Sequence, residues 1–264
     1  MGKVFIIAVD GLEFVYVGRW LLRGFIQEKC GKYQSTTEKS TPHLWACIIT
    51  GRDPEKSLKT NEWVVYKNPL INLARKYLKF LRGKGLGRFF EKKWVDKKYL
   101  ASECIFDKYP SIVVNFPAYN WRMPKGMISV VDAVGNREKA EKLLEVVERM
   151  DQESYEKIVE MLEQNSEWKI GAVWFYSADI VNHVFWYDRA RVFLVYHHLE
   201  WLAVRLRRLI EKQFPETTII ILSDHGGRRG MHTPYGFISV NKRDLDLPER
   251  ITEIYGWLVS LIEQ

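Results

Sequence analysis

Asp10, Asp179, His183, Asp224, His225 and His232 are residue types that bind divalent cations, and they cluster at or just beyond strongly apolar runs. VFIIAV (4–9) runs into Asp10. IGAVWFY (170–176) leads to Asp179, with His183 four residues further on, and TTIIIL (217–222) runs into Ser223-Asp224-His225. His232 follows seven residues after His225 in a glycine-rich stretch, GGRRGMHTPYG. Three carboxylates and several imidazoles in a partly dry site carry too much unpaired charge to stand alone, and one or two divalent ions would neutralise them. Mixed imidazole and carboxylate donors favour zinc, with manganese or iron as substitutes. Two such ions about 3.5–4 Å apart clamp the attacking and leaving oxygens of an in-line displacement.

That displacement needs a nucleophile. Ser40-Thr41-Pro42 precedes a predicted helix, whose free N–H groups favour an anion. Either hydroxyl serves equally well as that helix's N-cap. Singly, the other residues have plain alternatives: a lone Asp after a strand caps a helix or turn, His183 pairs with Asp179 on a helix face, and His232 is solvated. What counts is joint occurrence, because three of the six histidines, His183, His225 and His232, lie in these segments and a fourth, His43, lies beside the Ser40-Thr41 pair. His197 and His198 sit in a long helix pattern and receive no role. GKGLG (83–87) follows a helix and lacks the Lys-Ser/Thr ending of a phosphate loop, so it reads as a hinge.

The elements that must position these residues read as alternating strands and helices. Continuous apolar runs at 4–9, 111–116, 170–176 and 217–222 are strands buried on both faces of a parallel sheet, and 237–240 is a last short strand. Helical spacing covers 12 to about 30, 40–50, 136–149 with a second helix to about 164, 190–214, and the stretch from 251. Leu70, Leu73, Ala74, Tyr77, Leu78 and Leu81 form one apolar helix stripe. The fold class is α/β, a doubly wound, mostly parallel sheet flanked by helices. Carboxyl ends of such strands lie at one edge, where ligands bind.

Composition agrees. The 264 residues are 47% hydrophobic and 28% charged, which excludes disordered and collagen-like chains. Aromatics reach 14%, with ten Trp expected mostly in the core or lining a pocket. Three cysteines (Cys30, Cys47, Cys104) without a CxxC pair argue against a disulfide framework or a cysteine zinc site. The N-terminal apolar run is too short for a signal peptide, and no stretch approaches the ~20 residues of a membrane span, so a cytoplasmic protein is expected. The net charge of +7 is local: residues 67–98 hold eleven Lys/Arg and two acidic residues. The rest of the chain is slightly acidic.

The ordered series AVDG, STPHLWACIITGRDP, ADIVNHVFW, LSDHGG and MHTPYG resembles the alkaline phosphatase superfamily. Within it, the type I phosphodiesterase / nucleotide pyrophosphatase branch is most similar, and NFPAYNWRMPKGMIS also resembles a stretch of that branch. The resemblance covers about 4–240 except the basic segment. It implies one alkaline phosphatase-like domain over 1–264, with 62–108 a basic helical cap. It further implies that Asp179, His183 and His232 hold one metal, and that Asp10, Asp224 and His225 hold the other together with Thr41. Thr41 would be the nucleophile, Ser40 its competitor, and Asn61 the donor to a non-bridging phosphate oxygen. Relatives carry His-Gly where this chain has Ser57-Leu58, and many carry proline where it has His43. The activity implied is hydrolysis of a small phosphate ester or nucleotide through a phosphothreonine-type intermediate. The alternatives are a phosphomonoesterase with the same two-metal site, or a non-catalytic protein holding nucleic acid or a membrane surface through the basic segment 67–98.

Overall fold

The computed structural model describes residues 2–60, 64–66, 92–122, 124 and 127–264. A six-stranded sheet organises them, built from β1 (Val4–Val9), β2 (Lys29–Gln34), β5 (Ser111–Val114), β6 (Ile170–Phe175), β7 (Thr218–Leu222) and β10 (Tyr235–Val240). A separate antiparallel pair joins β3 (Val64–Tyr66) to β4 (Lys92–Trp94), and a hairpin joins β8 (Gly226–Arg228) to β9 (Met231–Thr233). The order across the main sheet is β2-β10-β7-β1-β6-β5. Only β10 runs against its neighbours, so the sheet is mostly parallel, and helices flank it.

Every residue of β1, β6 and β7 is buried, as apolar runs without alternation require of central parallel strands. Burying each Val, Ile or Leu there contributes about 1.5–3 kcal/mol. β1 pairs Val4 with both Ile170 and Thr218, and Ala8 with Leu222. Two residues further along that register, Asp224 stands against Asp10 at the carboxyl edge. Trp45, Trp168 and Trp174 are fully buried, whereas Trp186 and Trp201 are exposed.

Helix Thr41–Thr50 is buried from Pro42 to its end, as an apolar sequence without a polar face demands, and it stops at Gly51 in the left-handed region (φ 71°). Three expected elements differ. The stretch from Leu12 is not one helix: it makes a short helix, Phe14–Arg19, a 3₁₀ turn, Arg23–Phe25, and then β2. KCGKYQ hides this strand because it is an edge strand with one fully buried side chain, Tyr33. The two helices expected around 136–164 are one, Arg137–Gln164, capped by Asn136 through the Lys139 N–H. The glycine-rich loop around His232 is the β8–β9 hairpin.

The expected cap over 62–108, its apolar stripe at 70–81 and the hinge at 83–87 lie largely or wholly outside the described residues. Among the described residues, that span holds the β3–β4 pair, a 3₁₀ turn at Lys97–Tyr99 and a short helix, Ile105–Lys108. The three cysteines are free thiols. No helix among the described residues is long and apolar enough to cross a membrane.

Candidate metal centre

Asp10 follows β1 directly, and its backbone N–H donates to the Phe175 carbonyl of β6 at 2.9 Å. Its Oδ2 accepts from the indole N–H groups of Trp45 and Trp174, each at 3.1 Å. Its Oδ1 and both oxygens of Asp224 are buried without a hydrogen-bond partner. Around them the His225 Nε2 is a hub, 3.4 Å from Asp10 Oδ1, 3.5 Å from Asp224 Oδ2 and 3.3 Å from Thr41 Oγ1. The His225 Nδ1–H donates to the Gly226 carbonyl at 3.1 Å, which orients the ring with Nε2 toward the carboxylates.

The second cluster lies beside it. The helix Ser177–Val184 carries Asp179 in its first turn and His183 in its last. Asp179 Oδ1, itself buried without a hydrogen-bond partner, is 3.3 Å from His183 Nε2 and 3.4 Å from His232 Nε2. The two imidazole nitrogens are 2.8 Å apart. His183 Nδ1–H donates to the Gly230 carbonyl at 3.1 Å, again turning Nε2 inward. His232 stacks on His225 at a centroid distance of 3.7 Å, which joins the two clusters.

Two Asp/His groups converge tightly enough to hold a metal ion: Asp10, Asp224 and His225 in one, Asp179, His225 and His232 in the other, with His183 at the edge of the second. Donors bonded to a tetrahedral ion at about 2.0–2.1 Å stand roughly 3.3 Å from one another. The separations of 3.3–3.5 Å match that spacing, and three orphaned carboxylate oxygens in the buried cluster are what a cation would satisfy.

Charge states follow from burial and proximity. Burial drives Asp224 well above the ordinary carboxylate range, with the Asp10 charge adding to it, and burial raises Asp10 too. Burial works against a charged His225, but Asp224 and Asp10 outweigh it and push the imidazole up to about 10. Burial also pushes Asp179 up, yet His183 and His232 together hold it well below the usual range. The Asp179 charge raises His183 in return, against its burial.

Backbone and side-chain partners lock these groups in place. Gly11, at φ 67°, leaves room for the Asp179 helix: a Cβ there would stand 2.8 Å from Asp179 Cα. Asn182 Nδ2 donates to the Gly11 carbonyl at 2.9 Å and to the Tyr196 hydroxyl at 2.8 Å. Ser223 Oγ accepts from Leu12 N–H and donates to the His225 carbonyl, while Ser35 Oγ, just past β2, donates to the Asp224 carbonyl. Glu13 accepts from Thr233 Oγ1 at 3.0 Å and so ties the hairpin to the turn after β1. Ser223 apart, which sits two residues from His225, these partners were not evident in the sequence, since each lies far along the chain from the group it holds.

Thr41 begins its helix, and Ser40 takes the N-cap position without a capping bond. His43 Nε2 lies 3.1 Å from the Thr60 carbonyl, which can only accept. Nδ1 therefore accepts, and the Ser40 hydroxyl donates to it at 2.9 Å. Burial lowers the His43 pKa, against the opposing effect of its bond to the Thr60 carbonyl. Thr41, Pro42, Val95, Pro117, Ala118, Trp121, Trp174 and Tyr176 line an apolar recess beside the Thr41 hydroxyl. Asn61 lies outside the described residues.

The mostly parallel sheet, whose central strands end in Asp10 and in Asp224-His225, gathers these carboxylates and imidazoles at one edge. The chain belongs to the type I phosphodiesterase / nucleotide pyrophosphatase family, whose description matches residues 4–237. Phosphonoacetate hydrolase from Sinorhizobium meliloti 1021, in complex with phosphonoformate, shares the fold at 14% identity and a TM-score of 0.50, over 85% of this chain and 56% of that one. Inactive murine ectonucleotide pyrophosphatase/phosphodiesterase 5 with AMP gives 13% identity and a TM-score of 0.47, over 86% of this chain and 57% of that one. The PH0037 protein from Pyrococcus horikoshii gives 12% and 0.47, over 99% of this chain and 97% of that one. This chain thus spans little more than half the length of the first structures it matches. No curated protein sequence matches it.

Proposed function

We propose that the protein is a metal-dependent phosphoester hydrolase of the phosphodiesterase / nucleotide pyrophosphatase type, with Thr41 as nucleophile. The observation that carries this reading is the His225 hub, where Asp10, Asp224 and the Thr41 hydroxyl all lie within 3.5 Å of one imidazole nitrogen. Asp10, Asp224, His225 and Thr41 would hold one divalent ion, and Asp179, His183 and His232 the other. Zinc suits the donor set best, with manganese as a substitute. When bound, such ions lower the pKa of a coordinated hydroxyl and neutralise phosphate charge.

Thr41 Oγ1, its proton lost to solvent, forms the bond to phosphorus while the leaving-group oxygen departs with its electron pair on the opposite side. Water then attacks the phosphothreonine in line and releases Thr41, so two inversions give net retention. Residues at the start of the Thr41 helix offer a positive dipole end to the phosphate. The apolar recess of Val95, Pro117, Trp121, Trp174 and Tyr176 keeps water from the nucleophile and takes the uncharged part of the ester. Asn61 is assigned, from its family position, to a non-bridging oxygen. The chain is read as one domain with a basic cap over 62–108 that draws anionic substrates inward.

Metal analysis with rate measurements on bis-p-nitrophenyl phosphate and p-nitrophenyl phosphate tests this reading. Thr41→Ala is expected to lose about a thousandfold or more in rate while its metal content stays intact. Retained activity in that variant sinks the nucleophile assignment, and wild-type protein that binds neither zinc nor manganese sinks the site. A marked preference for the monoester turns the reading to a phosphomonoesterase with the same two-metal site.

A further inference from the structure

The helix Ser177–Val184 delivers two of the assigned ligands, Asp179 and His183, yet it begins without a cap of its own. Tyr176, at the N-cap position, has αR geometry and makes no side-chain capping bond. The opening N–H groups go instead to Asp151, from the middle of helix Arg137–Gln164. One carboxylate oxygen accepts from Tyr176 N–H at 2.8 Å and the other from Ser177 N–H at 3.0 Å. Asp151 is fully buried, on the same helix face as Leu143, Val147, Met150 and Ile158. A carboxylate among such residues is unfavourable unless its bonds hold something in place.

The leverage is direct. Asp179 stands two residues beyond Ser177 and His183 six, on a helix of eight residues whose rise is about 1.5 Å per residue. A tilt at its base moves both donors. Metal donors tolerate displacements of only about 0.2 Å. Two carboxylate oxygens fix the first turn at two points, and the negative charge faces the positive end of the helix dipole. Asp10 and His225 leave from strand ends and do not ride on this helix.

We propose that Asp151 is a positioning residue that sets the cation site of Asp179, His183 and His232, and leaves the site of Asp10, Asp224 and His225 largely unaffected. This rests on the two-ion reading above. The test is titration of metal-stripped full-length protein with Co2+, followed by calorimetry and by the visible absorption of tetrahedral Co2+. Wild type is expected to take up two equivalents. Asp151→Ala is expected to weaken one equivalent by about 10–100-fold and alter its absorption band, while the other keeps its affinity. Asp151→Asn retains one acceptor and falls between the two, and it carries the test should the alanine variant fail to fold. Equal weakening of both sites, or of neither, overturns the proposal. Wild type that binds no Co2+ overturns the two-ion reading and this proposal with it.

Discussion

Asp10, Asp224 and His225 have no solvent contact, whereas the side chains of His183 and His232 keep 21% and 23% of their surface exposed. The buried trio leaves from the ends of β1 and β7 and is braced by two indoles and two serines. The more open trio rides on a short helix and a hairpin, both held by carboxylates borrowed from elsewhere, Asp151 and Glu13. A sheet sets positions through many strand bonds at once, while a short helix or hairpin depends on one or two. The first half of the centre is therefore rigid and dry, and the second is accessible and adjustable. Such a division suits a site where the nucleophile must be held and water must enter.

The strongest way to break this contrast is Asp224→Asn. It removes a ligand from the rigid half, so activity should fall by about a thousandfold and one metal equivalent should be lost. Metal-free protein should melt close to metal-free wild type, because burial already drives Asp224 well above the ordinary carboxylate range and Asn replaces a group that carries little charge without a cation. A lower melting temperature would show that Asp224 is satisfied in some other way.

The next largest effect concerns pH. Burial pushes Asp151 up to about 7, above its ordinary value of 3.8. Between those values the folded state holds a proton that the unfolded state has released, so stability falls as pH rises through this window and levels off above about 7. The total reaches on the order of 4 kcal/mol. Unfolding free energies of wild type and Asp151→Asn, measured from pH 4 to 8, should converge at low pH and separate in the variant's favour as pH rises. Parallel curves would show that Asp151 does not carry the titration.

Trp45→Phe sharpens the contrast at the smallest scale. It removes one of two donors to Asp10 Oδ2 with little loss of ring packing, and should destabilise the protein by about 1–3 kcal/mol. Cation affinity at the buried trio should drop while that of the open trio holds, as paired Co2+ titrations would report.

The two halves were unequally legible. Strands 4–9, 170–176 and 217–222 announced themselves because burial on both faces leaves no polar alternation, and their register brings Asp10 and Asp224 together. Strand β2 was invisible, because an edge strand with one fully buried residue has no period to read. Asp151, Glu13, Asn182 and the two tryptophans hold ligands across 25 to 220 residues of chain, and no local pattern records such a pairing. The sequence motifs thus mark the donors, and the supports that give them geometry emerge only from the fold.

The strand order has a consequence for how the protein comes into being. β1 is the first strand made, yet its two neighbours in the sheet, β6 and β7, begin at residues 170 and 218. Pairing over such separations is slow, since the intervening loop must close before any contact rewards it. Asp10 therefore meets Asp179 and His183 only after β6 has been made, and Asp224 and His225 only after β7. A chain stalled between β6 and β7 would leave one apolar edge of β1 unpaired.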